Sequence, residues 1–198
     1  DFAAHIKMLD PAYVKALVRY NPDGDADMNK KQAEKLVILS DFCHSEGYKF
    51  LFELLVPATP VQLESCGGSK KIYEKTVRAK LMRRAIEELQ NGGVEPDVWK
   101  LEGLESSDDM RSVAEKARQG GRNADIVVLG RGESDEKVRV WLKAAARVPG
   151  VIGFAVGRTV FKEPLLKYHQ KEATREEAAR IIAKNFKQYA DLFEKASL

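Results

Sequence analysis

The sequence has few of the residues from which proteins build metal centres and disulfide frameworks. Its two cysteines, Cys43 and Cys66, form no CxxC motif. Its three histidines, His5, His44 and His169, lie far apart and form no HxH or HExxH motif. Because zinc sites use clustered His and Cys ligands, this spacing disfavours a metal-dependent mechanism, and no cofactor is expected. Two isolated cysteines favour a reducing, cytoplasmic setting.

Long apolar runs are also missing. No stretch approaches the length that a bilayer span requires, and no secretory signal opens the chain, so we expect no membrane partner. The net charge of +3 is spread along Lys/Glu helices rather than gathered in a block, which gives no case for nucleic acid. Without a Walker loop or a GxGxxG fingerprint there is little support for nucleotide binding. An apolar content of 44% is typical of a soluble globular protein.

The sequence does contain apolar strands that alternate with amphipathic helices. Strands are predicted over residues 14–20, 50–56, 98–101, 126–129 and 151–156. Helices are predicted over 1–9, 27–46, 71–90, about 107–119, 135–147 and 174–195, with 57–69 as a long polar loop. No hairpin signal separates the strands, so the pattern indicates an α/β fold of right-handed βαβ units with a parallel sheet. In such folds the active site lies at the carboxyl ends of the strands.

Lys100 and Glu102 stand out in the third predicted strand, within residues 96–106. Residues two apart on a strand point to the same face, so the two side chains are expected side by side. A charged pair in a buried strand is costly unless it is partnered. Desolvation and nearby cations can lower the pKa of a lysine until it is a free amine that attacks a carbonyl. A structural ion pair at the strand end is the alternative.

Four strand regions contribute ionisable residues. Lys15 and Arg19 share one face of the first strand, Glu53 interrupts the second, and Arg158 follows the fifth. A strand-end ion pair would explain each of them singly. Together with Lys100 they lie in or directly after parallel strands whose carboxyl ends meet at one edge, and buried charges cluster where function requires them. We therefore predict a pocket that includes them, with Arg19 as a substrate-binding residue.

Two glycine–arginine motifs are candidates for phosphate binding. Gly130-Arg131-Gly132 and Gly157-Arg158 each follow an apolar strand and precede a helix. Glycine lets the backbone approach an anion, a helix N-terminus offers free N–H groups, and arginine supplies a bidentate fork. Barrels often place a phosphate site after their last two strands, which is where both motifs fall.

Five segments of the chain, taken in order, resemble one family of enzymes. They are VKALVRYNPDGD (14–25), FELLVP (52–57), PDVWKLEG (96–103), VLGRG (128–132) and GFAVGRTVF (153–161). These segments are similar to those of the class I aldolase-like barrels typified by tagatose 1,6-bisphosphate aldolase. Within that group they resemble the DUF2090 branch, found as the 2-deoxy-5-keto-gluconate 6-phosphate aldolase of inositol catabolism. The resemblance runs along essentially the whole chain.

The resemblance implies a (β/α)8 TIM barrel that uses a Schiff-base lysine and no metal. It implies that Lys100 is the imine-forming lysine of a Lys-x-Glu strand. Lys15 matches a lysine of the fourth family strand, and Glu53 matches a glutamate of the fifth. We therefore expect these three residues to be catalytic.

The resemblance also assigns the glycine–arginine motifs and the domain. Gly130 and Gly157-Arg158 match the regions that hold the substrate phosphate. The five βα units match family strands 4 to 8, and the first three strands have no counterpart here. Residues 1–198 are accordingly interpreted as a single barrel domain, the C-terminal portion of a longer barrel.

The expected reaction is cleavage of a phosphorylated ketose or keto-acid to dihydroxyacetone phosphate and an aldehyde. Lys100 would attack the ketone, Lys15 would lower the pKa of Lys100 by like-charge repulsion, and Glu53 or Glu102 would move protons. A transaldolase or isomerase acting on a phosphosugar is one alternative, and a non-catalytic sugar-phosphate-binding barrel is another. Because an incomplete barrel leaves open strand edges, we also expect a partner, with a homo-oligomer favoured.

Overall fold

Five short strands alternate with helices along the computed structural model, which describes all 198 residues. The strands are β1 (Tyr13–Arg19), β2 (Lys49–Leu55), β3 (Val98–Glu102), β4 (Asp125–Leu129) and β5 (Val151–Ala155). The helices are α1 (Phe2–Leu9), α2 (Ala26–Ser45), α3 (Pro60–Ser65), α4 (Lys70–Thr76), α5 (Arg78–Asn91), α6 (Ser107–Ala117), α7 (Asp135–Ala145), α8 (Arg158–His169) and α9 (Arg175–Ser197). A short 3-10 turn spans Gln119–Gly121.

The five strands form one parallel sheet in the order β1-β2-β3-β4-β5. Because βαβ crossovers are right-handed, an order that never reverses places every crossover helix on the same side of the sheet. A doubly wound sheet would instead reverse its order and carry helices on both faces. The sheet is therefore part of a barrel wall, as predicted for five of eight βα units.

The helix boundaries differ from the prediction in three places. The segment predicted as a polar loop contains α3, which begins with Pro60 and a capping box between Thr59 and Gln62. The single helix predicted over 71–90 is two helices, because Val77 leaves helical geometry at φ −120°. Helix α8 precedes the predicted terminal helix and contains Pro164, a residue that made it difficult to recognise from sequence.

The side chains that point toward the helices form the hydrophobic core. On the three central strands each of these residues is at most 1% exposed: Phe50, Phe52, Leu54, Trp99, Leu101, Ile126 and Val128. Helices α5, α6 and α7 supply the opposing apolar faces, with Met82, Met110 and Leu142 fully buried. Burial of one such large side chain contributes about 1.5–3 kcal/mol, so this layer fixes the sheet against the helices.

The opposite, concave face of the sheet is more exposed and carries the charged residues. On β1, Tyr13 and Leu17 of this face are 46% and 43% exposed. The parallel register pairs Leu17 with Glu53, and Glu53 with Lys100. These side chains therefore lie at one level across the sheet, on the side that faces the interior of a closed barrel.

Gly103, which directly follows β3, is expected to tolerate no side chain. A Cβ atom there would lie 2.3 Å from Cδ2 of Trp141, which is 1% exposed. Because the buried indole has no room to move aside, Gly103→Ala should lower the free energy of unfolding by about 1–3 kcal/mol. Chemical denaturation measures this change. Gly153→Ala is the control: an added Cβ meets nothing within 4 Å there, and a loss as large as that of Gly103→Ala would contradict the packing argument.

Candidate active site

One carboxylate on the concave face bridges two lysines. Oε2 of Glu53 lies 2.8 Å from Nζ of Lys15 and 3.0 Å from Nζ of Lys100. The three residues come from β1, β2 and β3, which pair side by side in the sheet. The structure thus brings together the three residues that the sequence nominated from three separate strands.

The three side chains differ in their exposure to solvent. The side chain of Glu53 is 11% exposed, that of Lys100 is 19% exposed, and that of Lys15 is 44% exposed. Burial by itself raises the pKa of Glu53, but the hydrogen bonds and charges of Lys15 and Lys100 outweigh burial and hold that pKa below its ordinary value. Glu53 is therefore an ionised acceptor in contact with an amine that a small molecule can still reach. Such a pair can exchange a proton and present the amine to a carbonyl.

Glu102 makes no ion pair with Lys100, although its two-residue spacing predicted a charged pair. Its side chain is fully buried, and Oε2 accepts a hydrogen bond of 2.9 Å from the backbone N–H of Val56. Its Oε1 lies 2.7 Å from Nη1 of Arg131 and 3.7 Å from Nη1 of Arg78. The Glu102 carboxylate pairs with these two arginines because a buried charge needs counter-charges and hydrogen-bond donors. It makes no ion pair with Lys15 or Lys100.

Sequence reasoning missed the partners of Glu102. Arg78 is 1% exposed, donates a hydrogen bond of 2.8 Å to the carbonyl of Gly103 and lies 3.2 Å from Glu74. Burial by itself raises the pKa of Glu74, but Lys137 and the nearby guanidinium groups lower it below its ordinary value. The i,i+4 spacing of Glu74 and Arg78 was a visible signal, but it is also typical of a solvated helix surface.

The two predicted phosphate-binding motifs contact each other. Nη2 of Arg158 donates a hydrogen bond of 2.8 Å to the backbone carbonyl of Arg131. A Cβ atom on Gly132 would lie 2.7 Å from Cζ of Arg158, and Gly132 has a φ of +77°. Gly130 is also restricted, because a Cβ there would lie 3.0 Å from Val156. The glycine at position 132 therefore allows the guanidinium of Arg158 to lie across the loop that follows β4, and the glycine at position 130 leaves room for Val156.

Gly157 and Arg158 begin α8, and Arg19 ends β1. Gly157 is the N-cap residue of α8, and the hydroxyl of Thr159 in its first turn donates a hydrogen bond of 2.9 Å to the backbone carbonyl of Glu133 in the loop after β4. The side chain of Arg19 makes no ion pair; its backbone carbonyl accepts a hydrogen bond of 3.3 Å from Gln32. The roles of these residues in binding phosphate and substrate stay predictions.

The cysteines and acidic residues form no metal centre. Cys43 and Cys66 are both free and buried. No group of three or more His, Cys, Asp or Glu side chains is arranged to hold a metal ion. No helix is both long enough and apolar enough to span a membrane.

Comparison with known proteins identifies one family and one fold. The family model described as "Uncharacterized protein conserved in bacteria (DUF2090)" matches residues 8–197. Fructose-bisphosphate aldolase from Plasmodium falciparum superposes with a TM-score of 0.66 at 15% identity, covering 98% of this chain and 60% of that chain. A Schiff-base-forming fructose-1,6-bisphosphate aldolase gives a TM-score of 0.60 at 14% identity, covering 94% and 61%. No curated protein sequence matches the chain.

A third structural relative agrees with these two. Fructose-bisphosphate aldolase from Slackia heliotrinireducens gives a TM-score of 0.57 at 13% identity, covering 93% of this chain and 58% of that chain. Similarity at this level of identity establishes the fold and confirms the prediction of a partial (β/α) barrel. The chain spans about 54–61% of the length of the barrels that it matches.

Proposed function

We propose that this chain, which belongs to the DUF2090 family, carries the imine-forming lysine of an aldolase. The proposed reaction cleaves a phosphorylated ketose or keto-acid to dihydroxyacetone phosphate and an aldehyde. The observation that carries the proposal is the contact of one oxygen of Glu53 with both Lys15 and Lys100 on the concave face of the sheet. Solved aldolases of the same fold, one of them described as Schiff-base-forming, support it.

The mechanism begins with a proton transfer from Lys100 to Glu53, which are 3.0 Å apart. The free amine then attacks the ketone carbon, and the carbinolamine loses water to give a protonated imine. As the carbon–carbon bond breaks, its electron pair forms the C=C bond of an enamine, the C=N pair moves to the nitrogen, and the hydroxyl of the departing carbon loses its proton to give the aldehyde. Protonation of the enamine carbon and hydrolysis of the resulting imine then release dihydroxyacetone phosphate and Lys100. Glu53 supplies and removes the protons of these steps, and Lys15 holds its carboxylate in place at 2.8 Å.

The substrate phosphate is proposed to bind at the loops after β4 and β5. Arg131 and Arg158 bring two guanidinium groups to these loops, and the helix that begins at Arg158 adds free backbone N–H groups. Binding energy from a phosphate remote from the reacting carbons would orient the ketone toward Lys100. As the specific substrate we propose 2-deoxy-5-keto-gluconate 6-phosphate.

A complete barrel requires more strands than this sheet contains. β1 and β5 each pair with only one neighbour, so one side of each strand presents unpaired backbone groups. We propose that three further βα units, from an adjoining part of the same polypeptide, pair with these two edges and close the barrel over the concave face.

The test is intact-mass spectrometry after incubation with dihydroxyacetone phosphate and borohydride. Borohydride reduces the imine to a stable secondary amine, so the proposal predicts a mass increase that peptide mapping assigns to Lys100. A sample without borohydride controls for non-covalent adducts. A folded chain that binds dihydroxyacetone phosphate but forms no adduct would instead indicate a sugar-phosphate-binding module.

A further inference from the structure

Glu102 is the one candidate residue whose surroundings do not fit the role that the sequence suggested. Its Oε2 accepts the hydrogen bond from the N–H of Val56, and its Oε1 makes ion-pair contacts with Arg131 at 2.7 Å and Arg78 at 3.7 Å without a hydrogen bond. Its side chain has no exposed surface, so no water or substrate atom reaches it. A carboxylate in this state is poorly placed to carry protons to and from a reacting carbon, and well placed to hold a cation.

Arg131 is held by only one of its three side-chain nitrogens. Its Nη1 lies 2.7 Å from Glu102 and donates a hydrogen bond of 3.1 Å to Glu74. Its Nε and Nη2 have no hydrogen-bond partner within the protein, and 34% of the side chain is exposed. Arginine binds phosphate through two parallel N–H donors, and here two nitrogens are left for such a contact.

The backbone of Arg131 also supports the second arginine. Its φ of +53° is unusual for a residue with a side chain, and its carbonyl accepts the 2.8 Å hydrogen bond from Arg158. Such backbone geometry persists only where the surrounding contacts hold it in place. The contacts of the Arg131 side chain with Glu102 and Glu74 hold this loop. A chain of contacts thus runs from the buried Glu102 through Arg131 to Arg158.

We propose that Glu102 is a positioning residue that holds Arg131, and through its backbone Arg158, in the geometry that grips the substrate phosphate. Buried Arg78 is the second cation beside Glu102, with its Nη1 at 3.7 Å from Oε1. This inference rests on the proposed function, because it assumes that the phosphate of the substrate binds at these two arginines. In this assignment Glu102 transfers no protons, and Glu53 alone carries out the proton-transfer steps.

The two roles predict different kinetics for Glu102→Gln. Glutamine keeps the volume of the side chain, and its carbonyl oxygen keeps the hydrogen bond from Val56, but it no longer attracts Arg131. The concentration of dihydroxyacetone phosphate that half-saturates imine trapping should rise about tenfold or more, while the rate at saturation changes less than about twofold. Trapping of dihydroxyacetone, which has no phosphate, should be unchanged.

Arg131→Met and the double variant show whether Glu102 acts through Arg131. If it does, the single and double variants raise the half-saturating concentration of dihydroxyacetone phosphate to a similar extent, because effects along one chain of contacts do not add. Glu95→Gln is the matched control, since Glu95 pairs with Arg122 at 2.7 Å before β3 begins and should leave trapping unchanged. Additive effects, or a lower rate at saturation for Glu102→Gln, would overturn the proposal.

Titration of the full chain with inorganic phosphate by calorimetry separates this proposal from the proposed function. If wild type forms no imine, the aldolase proposal fails, but Glu102→Gln and Arg131→Met should still weaken phosphate binding about tenfold. If wild type forms the imine and neither variant changes phosphate affinity, the positioning role fails alone. Should Glu102→Gln not fold, Arg131→Met decides, because unchanged phosphate affinity in that variant is sufficient to reject the role.

Discussion

Replacement of Lys100 by alanine is expected to abolish the borohydride-trapped adduct and to lower aldol cleavage by at least about 10³-fold, because the covalent route is lost. The fold should survive the change. Glu53 would keep its contact with Lys15 at 2.8 Å, so no buried carboxylate is left without a counter-ion. The side chain of Lys100 is also partly exposed, and its removal leaves no sealed cavity in the hydrophobic core. The measurements are intact mass, product formation and a thermal melt of the same sample.

Lys49→Ala is the matched control for this variant. Lys49 also lies on a strand of the sheet, but at the opposite end, where its exposed ammonium is 3.8 Å from Asp97. It should leave both labelling and cleavage unchanged. Substantial residual turnover in Lys100→Ala, with a normal thermal melt, would show that another residue forms the imine or that none is formed.

Glu53→Gln is expected to have the second-largest effect, a loss of about 10²–10⁴-fold in the rate of imine formation at saturating dihydroxyacetone phosphate. Glutamine has nearly the same shape but accepts no proton from Lys100. The substitution also removes the single negative charge that lies between two ammonium groups 2.8 Å and 3.0 Å away. Some loss of stability should therefore accompany the loss of rate, and a thermal melt measures it separately.

Glu102→Gln provides the comparison for Glu53→Gln. Both changes replace a buried glutamate on adjoining strands of the same sheet, but only Glu53 contacts Lys100. A fall in the saturating rate for Glu53→Gln alone would assign proton transfer to Glu53. Equal saturating rates in wild type and Glu53→Gln would exclude Glu53 from that role.

Much of the fold could be predicted because strand and helix patterns are local. Continuous apolar runs such as 50–56 marked strands buried on both sides, and the absence of hairpin turns between them required parallel pairing. The helix boundaries were less reliable. The break at Val77 carries no proline or glycine, so the charged segment around it predicted one continuous helix where the structure has two.

The candidate site was predictable in its composition but only partly in its contacts. Lys15, Glu53 and Lys100 were nominated because charges inside apolar strands are costly and need partners, and the structure brings the charged nitrogens of both lysines within 3.0 Å of one oxygen of Glu53. Glu102 satisfied the same criterion and was expected beside Lys100. Spacing along a strand fixes the face of a side chain, but it does not identify the partner from another element.

The sequence by itself determined the parallel α/β fold and the set of residues available for chemistry, because hydrophobic period and the cost of buried charge are properties of short segments. Only the tertiary structure decided which cations Glu53 and Glu102 pair with. Strand register paired Glu53 with Lys100, and the side chain of Lys15 on β1 reaches the same carboxylate, whereas the packing of α5 brought the buried Arg78 to Glu102. A buried carboxylate takes the nearest cation and donor in space, and their positions are set by contacts between residues far apart in sequence.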